Sequence, residues 1–192
     1  MRDEEPTGSG DRRGGFGYRR LRQRGCANPA DKRAPETQSA PLSDNAVELR
    51  ADGVAAASES FYFAAGQTEV EAALVKALGP VQRSGENPEC GAGPITFTDF
   101  AGGLTAHFQE GRLVGWNWHA PRDGDAASKG VIRLPGAVQV GTARSEVEAA
   151  RGFAKVEAST LGEEFALGPK IGGFIAGDNV EMLYAGTQCF FR

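Results

Sequence analysis

Apolar positions along residues 47–192 follow two periods, and each predicts its own kind of element. Val70, Leu74, Ala77 and Leu78 recur at spacings of three and four, which puts them on one face of a helix. "ITFTDF" (residues 95–100) alternates, with Ile95, Phe97 and Asp99 expected on one side of a strand. "LTAHFQEGRLVGWNWHA" reads as a hairpin. Leu104, Ala106 and Phe108 share one face of its first strand, and Val114, Trp116 and Trp118 share one face of its second, as in a sheet with one buried side. A short strand near Val47, the aromatic run Phe61-Tyr62-Phe63, "VIRLPGAVQVG", "STLGEEFALG", "GGFIAG" and "EMLYAGTQCFF" complete the strand-like segments. "VQRSGENPECGAGP" and "APRDGDAASKG" read as polar loops.

The pentapeptide "EVEAA" occurs twice, at Glu69–Ala73 and Glu146–Ala150. Thr68 and Ser145 precede the two copies, so each reads Ser/Thr-x-x-Glu, a capping box that starts a helix. Gly79-Pro80 and Gly152 are the expected stops. The second helix is the shorter, with Val147, Ala150 and Phe153 as its apolar positions. A second correspondence links "FQEGRLVGW" (Phe108–Trp116) to "FIAGDNVEMLY" (Phe174–Tyr184), each with a glycine suited to a tight hairpin turn. The helix copies lie 77 residues apart and the hairpin copies 66. The expected fold class is therefore α+β, built as two tandem units of a helix and antiparallel strands. The expected divisions are a tail at residues 1–46, a first unit at 47–125 and a second at 126–192.

Charge divides the 192-residue chain unevenly. Residues 1–33 carry nine Lys/Arg and five Asp/Glu, leaving 12 basic and 20 acidic residues for the remainder. A body that acidic repels phosphate backbones, so no nucleic-acid partner is expected. Residues 1–46 read as a disordered, Arg- and Gly-rich tail followed by a proline-punctuated linker. Within it, "GCANPADK" has the look of the mature start of a bacterial lipoprotein, with Cys26 as the acylated residue. The apolar segment of a signal peptide does not precede it, which suggests that residues 1–25 stem from a misplaced start. Cys90 and Cys189 read either as a disulfide closing a long loop or as two buried thiols of a cytosolic protein. The disulfide reading carries an expected periplasmic or envelope location.

The chemistry-bearing residues are few. His107 alternates with Thr105 and Gln109 on the polar side of its strand and His119 ends the next one; both are expected on a solvated face without metal-ligand spacing. Glu163 and Glu164 are adjacent and so point to opposite faces of a strand, wrong for shared acid–base work. No Gly-x-Ser-x-Gly elbow or phosphate-cradling Gly-x-x-x-x-Gly-Lys-Ser/Thr occurs. No catalytic, cofactor-binding or metal-ligating residue is thus assigned. Phe108, Trp116 and Trp118 are the candidates for a recognition surface, with a core position as the alternative.

"ECGAGPITF", "LTAHFQEGRLVGW", "STLGEEF" and "LYAGTQCFFR" resemble a family of short uncharacterised alphaproteobacterial proteins, over about residues 47–192. The resemblance implies a lipoprotein signal, a polar tether and a compact two-unit body. Members are sometimes labelled aspartate-semialdehyde dehydrogenase. That activity would require a nucleotide-binding β-α-β unit and a nucleophilic cysteine, and neither "GCANPA" nor "ECGAGP" sits in such a unit. At fold level the paired units are similar to β-lactamase-inhibitor-protein-like modules and small outer-membrane-assembly lipoproteins. That similarity implies a sheet surface presented to another protein. The resulting expectation is a non-enzymatic envelope module with an unknown protein partner and no cofactor, and the alternative is an NADP-dependent dehydrogenase.

Overall fold

A computed structural model describes residues 42–190. Cys26, the arginine-rich tail and the suggested false start lie outside the described residues. The fold is mainly sheet. The strands are β1 (Ala46–Arg50), β2 (Gly53–Ala56), β3 (Glu59–Tyr62), β4 (Arg83–Asn87), β5 (Ile95–Phe100), β6 (Leu104–Gln109) and β7 (Arg112–His119), followed by β8 (Val131–Arg133), β9 (Phe153–Lys155), β10 (Glu163–Leu167), β11 (Ile171–Ala176) and β12 (Asn179–Gly186). Helix α1 (Gln67–Leu78) lies between β3 and β4, and α2 (Arg144–Glu148) between β8 and β9. A large antiparallel sheet has the order β4-β5-β6-β7-β12-β11-β10-β9, and a small one the order β3-β2-β1-β8.

The large sheet is two meanders meeting edge to edge, since β7 pairs with β12 at its centre. Hydrogen bonding around the two helix starts follows one pattern. The Gln67 amide donates to Gly111 O and the Arg144 amide to Asp178 O, at 2.8 Å each. Isolated bridges join Gly66 to Arg112 and Ala143 to Asn179. By these bonds the helix starts are 77 residues apart, as the sequence suggests, and the turns 67. Aligning Gly111 with Gly177 is therefore one residue off. Glu110 (φ 50°) occupies the place of Gly177 (φ 58°) as the first turn residue, and Gly111 (φ 71°) follows it. Both central residues of the first turn have positive φ, while the second turn has its glycine first; these are the two common hairpin turn chemistries.

The capping boxes do not form as the sequence suggests. The N-cap residues are Gly66 and Ala143, and neither makes a side-chain cap bond. Each helix start is instead fixed by its backbone bridge to the fourth strand of its meander. Glu69 sits at N3 with its carboxylate folded over Gly66, and Glu71 accepts from Gln67 Nε2 (2.8 Å) and Thr98 Oγ1 (2.6 Å). Gly79 ends α1 as expected, its amide donating to Val75 O. In contrast, α2 stops at Glu148, before Gly152.

The core lies between one face of the large sheet and a cover made of α1 and the small sheet. Val70, Leu74, Ala77 and Leu78 are all buried, as their spacing requires. They meet Leu104, Ala106, Phe108 and Trp116, with Leu183, Ala185 and Phe165 extending the same face. Each fully buried Val, Leu or Phe among them contributes about 1.5–3 kcal/mol. Ile95, Phe97 and Asp99 do share one side of β5, and it is the side turned away from the two helices. Thr98 and Phe100 point to the core with Ala106 and Leu104, and Phe97 and Asp99 point away. Opposite the His107–Phe108 step of β6, β7 carries one extra residue, Val114, so that Phe108 pairs with Leu113. Leu113 is consequently fully buried beside Trp116, and Val114 is half-buried.

One segment read as a loop contains a strand. β4, "RSGEN", lies at the sheet edge and is almost wholly polar, so no apolar alternation marks it. β1 joins β8 in parallel, Val47 opposite Ile132. A strand from the segment following the expected seam thus completes the sheet begun at residue 46, and the contacts place all described residues in one unit.

Candidate functional site

The opposite face of the large sheet points away from both helices. It carries Arg83, Phe97 and Asp99 from β4 and β5, and Thr105, His107, Asn117 and His119 from β6 and β7. Met182, Tyr184, Phe174 and Glu164 continue it across β12, β11 and β10. This outward face is the candidate functional surface, and several of its polar side chains are tied to neighbours. Arg83 Nε donates to Asp99 Oδ2 (2.8 Å) and lies 5.1 Å from the centre of the Phe97 ring; Thr105 Oγ1 donates to Asp99 Oδ1 (2.7 Å). The Tyr184 hydroxyl donates to the buried Glu164.

Glycines shape this face. Tyr184 lays its ring across Gly172, where any Cβ would collide with it, and Gly173 makes the same room for Phe165 on the core side. The pair "GG" in β11 is therefore close sheet packing, as expected for it. Glu163 and Glu164 do point to opposite sides. Arg144 grips Glu163 through both guanidinium arms and holds its carboxyl below the usual carboxylate range.

Residues 187–190 fold back over the outward face as a strap. The Thr187 amide donates to Val114 O (2.8 Å). His107 Nδ1 is 3.0 Å from Thr187 O, and Asn117 Nδ2 is 3.1 Å from His107 Nε2. His107 therefore sits on the side of β6 that alternation assigns it, but the strap buries it to 6% exposure and the solvated-face reading is corrected. With Nδ1 donating and Nε2 accepting, the neutral ring is satisfied on both sides. Burial pushes its pKa below the ordinary 6.5, against the opposing pull of the Thr187 carbonyl and of Asp99.

As pH falls through the ordinary imidazole range the unfolded chain takes up a proton that the folded chain refuses, so stability is lost downward from there until the folded ring also protonates. The urea midpoint should drop between about pH 7.5 and about pH 5, and His107→Gln should show a smaller drop. An equal drop in the variant would contradict the assignment.

His119 is partly buried rather than solvated: its Nδ1 lies 2.8 Å from Ala120 O and 3.9 Å from Asp125 Oδ2. It lines a polar cleft of about 330 Å³ with Arg83, Asp99, Thr105, Arg122 and Asp125. Among the described residues no group of three His, Cys, Asp or Glu is placed to hold a metal ion.

Phe108, Trp116 and Trp118 do not form a recognition surface. Their exposures are 0%, 0% and 9%, because they face the small sheet and α1. The indole N–H groups are satisfied there, Trp116 Nε1 by Arg50 O (2.8 Å) and Trp118 Nε1 by Gly102 O (3.1 Å). The half-buried aromatics of the outward face are Phe97, Phe174, Tyr184 and Phe190 instead. Alternation on β11 and β12 could have placed Phe174 and Tyr184 there, but only with the register known.

Cys90 and Cys189 are joined as a disulfide across 99 residues, with a Cα–Cα distance of 5.2 Å. The second half-cystine belongs to the strap and not to the final strand, which ends at Gly186. The bond is compatible with an oxidising, extracytoplasmic compartment, and no described helix is long and apolar enough to cross a membrane. Comparison with protein-family models, curated proteins and solved structures found no match for this chain.

Proposed function

We propose that this chain is a non-enzymatic cell-envelope module, tethered through Cys26 as a lipoprotein is, that presents the outward face of its large sheet to a protein partner. The observation that carries this reading is the one-sided cover of that sheet. Both helices and the small sheet lie on the core side, while the other side holds half-buried Phe97, Phe174, Met182 and Tyr184 among polar residues. Large aromatic and Met side chains in such a setting are what protein interfaces use. The disulfide supports the envelope location.

Two tandem units remain part of this reading. Matching bonds at the two helix starts, and one extra residue in the fourth strand of each meander, opposite His107–Phe108 and opposite Phe174–Ile175, support it. So does the strand order, which runs outward from β7 and β12 in mirror fashion. The resemblance to the alphaproteobacterial family and to β-lactamase-inhibitor-like modules belongs to the same proposal.

The rival reading is an NADP-dependent semialdehyde dehydrogenase. Among the described strands the parallel pairing is β1 with β8, three residue pairs long, and the strands of the large sheet are all antiparallel. A dinucleotide cradle is built on a parallel β-α-β unit, so this topology favours the module. Calorimetric titration of the folded chain with NADPH should give no saturable heat; a micromolar isotherm would overturn the proposal in favour of the enzyme.

A further inference from the structure

The outward face already has an occupant, and its contacts are those of a bound peptide. At Gly186 (φ 72°) the chain turns off the sheet, where a Cβ would meet Val114 O and the Phe63 ring. Thr187 gives its amide to Val114 and its carbonyl to His107, as above. Gln188 Nε2 donates to Trp116 O (3.0 Å) and Ala185 O (2.9 Å). The strap backbone crosses Gly115 so closely that a side chain there would collide with Thr187. Phe190 then sets its ring edge-on against Phe174 and Tyr184, at centroid distances of 5.4 and 5.1 Å. A backbone bond, side-chain amide bonds to carbonyls and one aromatic ring set against two others are contacts that an extended peptide can make.

The strap is also poised to leave. Gln188 Oε1 is buried without a hydrogen-bond partner among the described residues, a cost that counts against the docked state. Its covalent hold, beyond the chain itself, is the bond from Cys189 to Cys90 in the β4–β5 loop. Cys90 is 6% exposed and Cys189 is half-buried, so Cys189 is the more exposed of the two residues.

We propose that residues 187–190 are a tethered occupant of a peptide groove on the outward face, and that a dithiol reductant opens this groove to an extended peptide bearing an aromatic side chain. The inference rests on the reading of that face as the working surface. In the opening step a reductant thiolate attacks Cys189 Sγ and forms a mixed disulfide, and the Cys90 thiolate leaves and takes a proton. The second thiol of the reductant then displaces Cys189, so two protein thiols form while the dithiol is oxidised to its own disulfide.

The probe is a dye-labelled hexapeptide, AGTQSF, which reproduces residues 185–190 with serine in place of Cys189. Fluorescence anisotropy with the full chain should show affinity rising roughly tenfold or more on addition of dithiothreitol, and falling back when the peptide's phenylalanine is replaced by alanine. Equal binding to oxidised and reduced protein, or no binding to either, overturns the proposal. Hydrogen exchange on the same samples guards against unfolding. The Thr187 amide should exchange roughly tenfold faster or more after reduction while β6 and β7 stay protected. Unchanged Thr187 protection overturns the latch, and so does collapse of β6 and β7, which would make the bond a staple of the whole fold. Failure here leaves the wider functional reading standing, because that is decided by cross-linking from the face in either redox state.

Discussion

Replacing both Cys90 and Cys189 by serine should lower the free energy of unfolding by about 4 kcal/mol, while leaving a folded protein. The bond spans 99 residues, so opening it returns a long loop's worth of conformational freedom to the unfolded chain. The folded chain loses little beyond the strap, since Cys90 lies in a loop and Cys189 past the end of β12. Urea titration of oxidised wild type and the double variant checks this, with m-values compared to expose any change in the unfolded state. A loss below about 1 kcal/mol would mean that the unfolded chain is compact enough to gain nothing from the cut.

Trp116→Ala should cost about 3–5 kcal/mol, with a loss of cooperativity if the neighbouring layer collapses. Trp116 is fully buried between Ala106 and Ala185 on the large sheet and the underside of the small one. Its indole N–H is the donor for Arg50 O, so truncation both opens a cavity and strips a buried carbonyl of its partner. Guanidinium unfolding followed by far-UV circular dichroism measures the cost. Iodide quenching of wild-type fluorescence gives an independent check, because Trp116 and Trp118 should both be shielded. Strong quenching would return these rings to the surface and undo the core described above.

What was legible in the sequence were elements whose own residues carry the period. Helix α1 announces itself through Val70, Leu74, Ala77 and Leu78, and β6 through Leu104, Ala106 and Phe108, because each is half in the core and half out. β4 left no such trace, since an edge strand exposed on both sides has no reason to alternate. The closing of the small sheet was illegible for another reason: β1 and β8 pair across some eighty residues, and parallel pairing at that distance leaves no local mark. The caps failed by register. Thr68 and Ser145 fit the motif, yet the bridges at Gly66 and Ala143 start each helix two residues earlier. The site was the least legible part. His107 alternates as a solvated residue should, and only a strap arriving from eighty residues further on buries it. The Cys90–Cys189 pair is visible as one of two readings, but the strap it holds lies in "EMLYAGTQCFF", whose residues read as strand.

The most direct measurement is photo-cross-linking in cell-envelope preparations from the source cells, with benzoylphenylalanine placed singly at Phe97, Met182, Val75 or Val131. Phe97 and Met182 lie on the outward face; Val75 is on the exposed side of α1 and Val131 is 63% exposed on β8. The proposed function predicts one discrete protein adduct from Phe97 and Met182, the same from both, and none from Val75 or Val131. Adducts from Val75 or Val131 alone, or none from any position in oxidised and reduced samples, would contradict it.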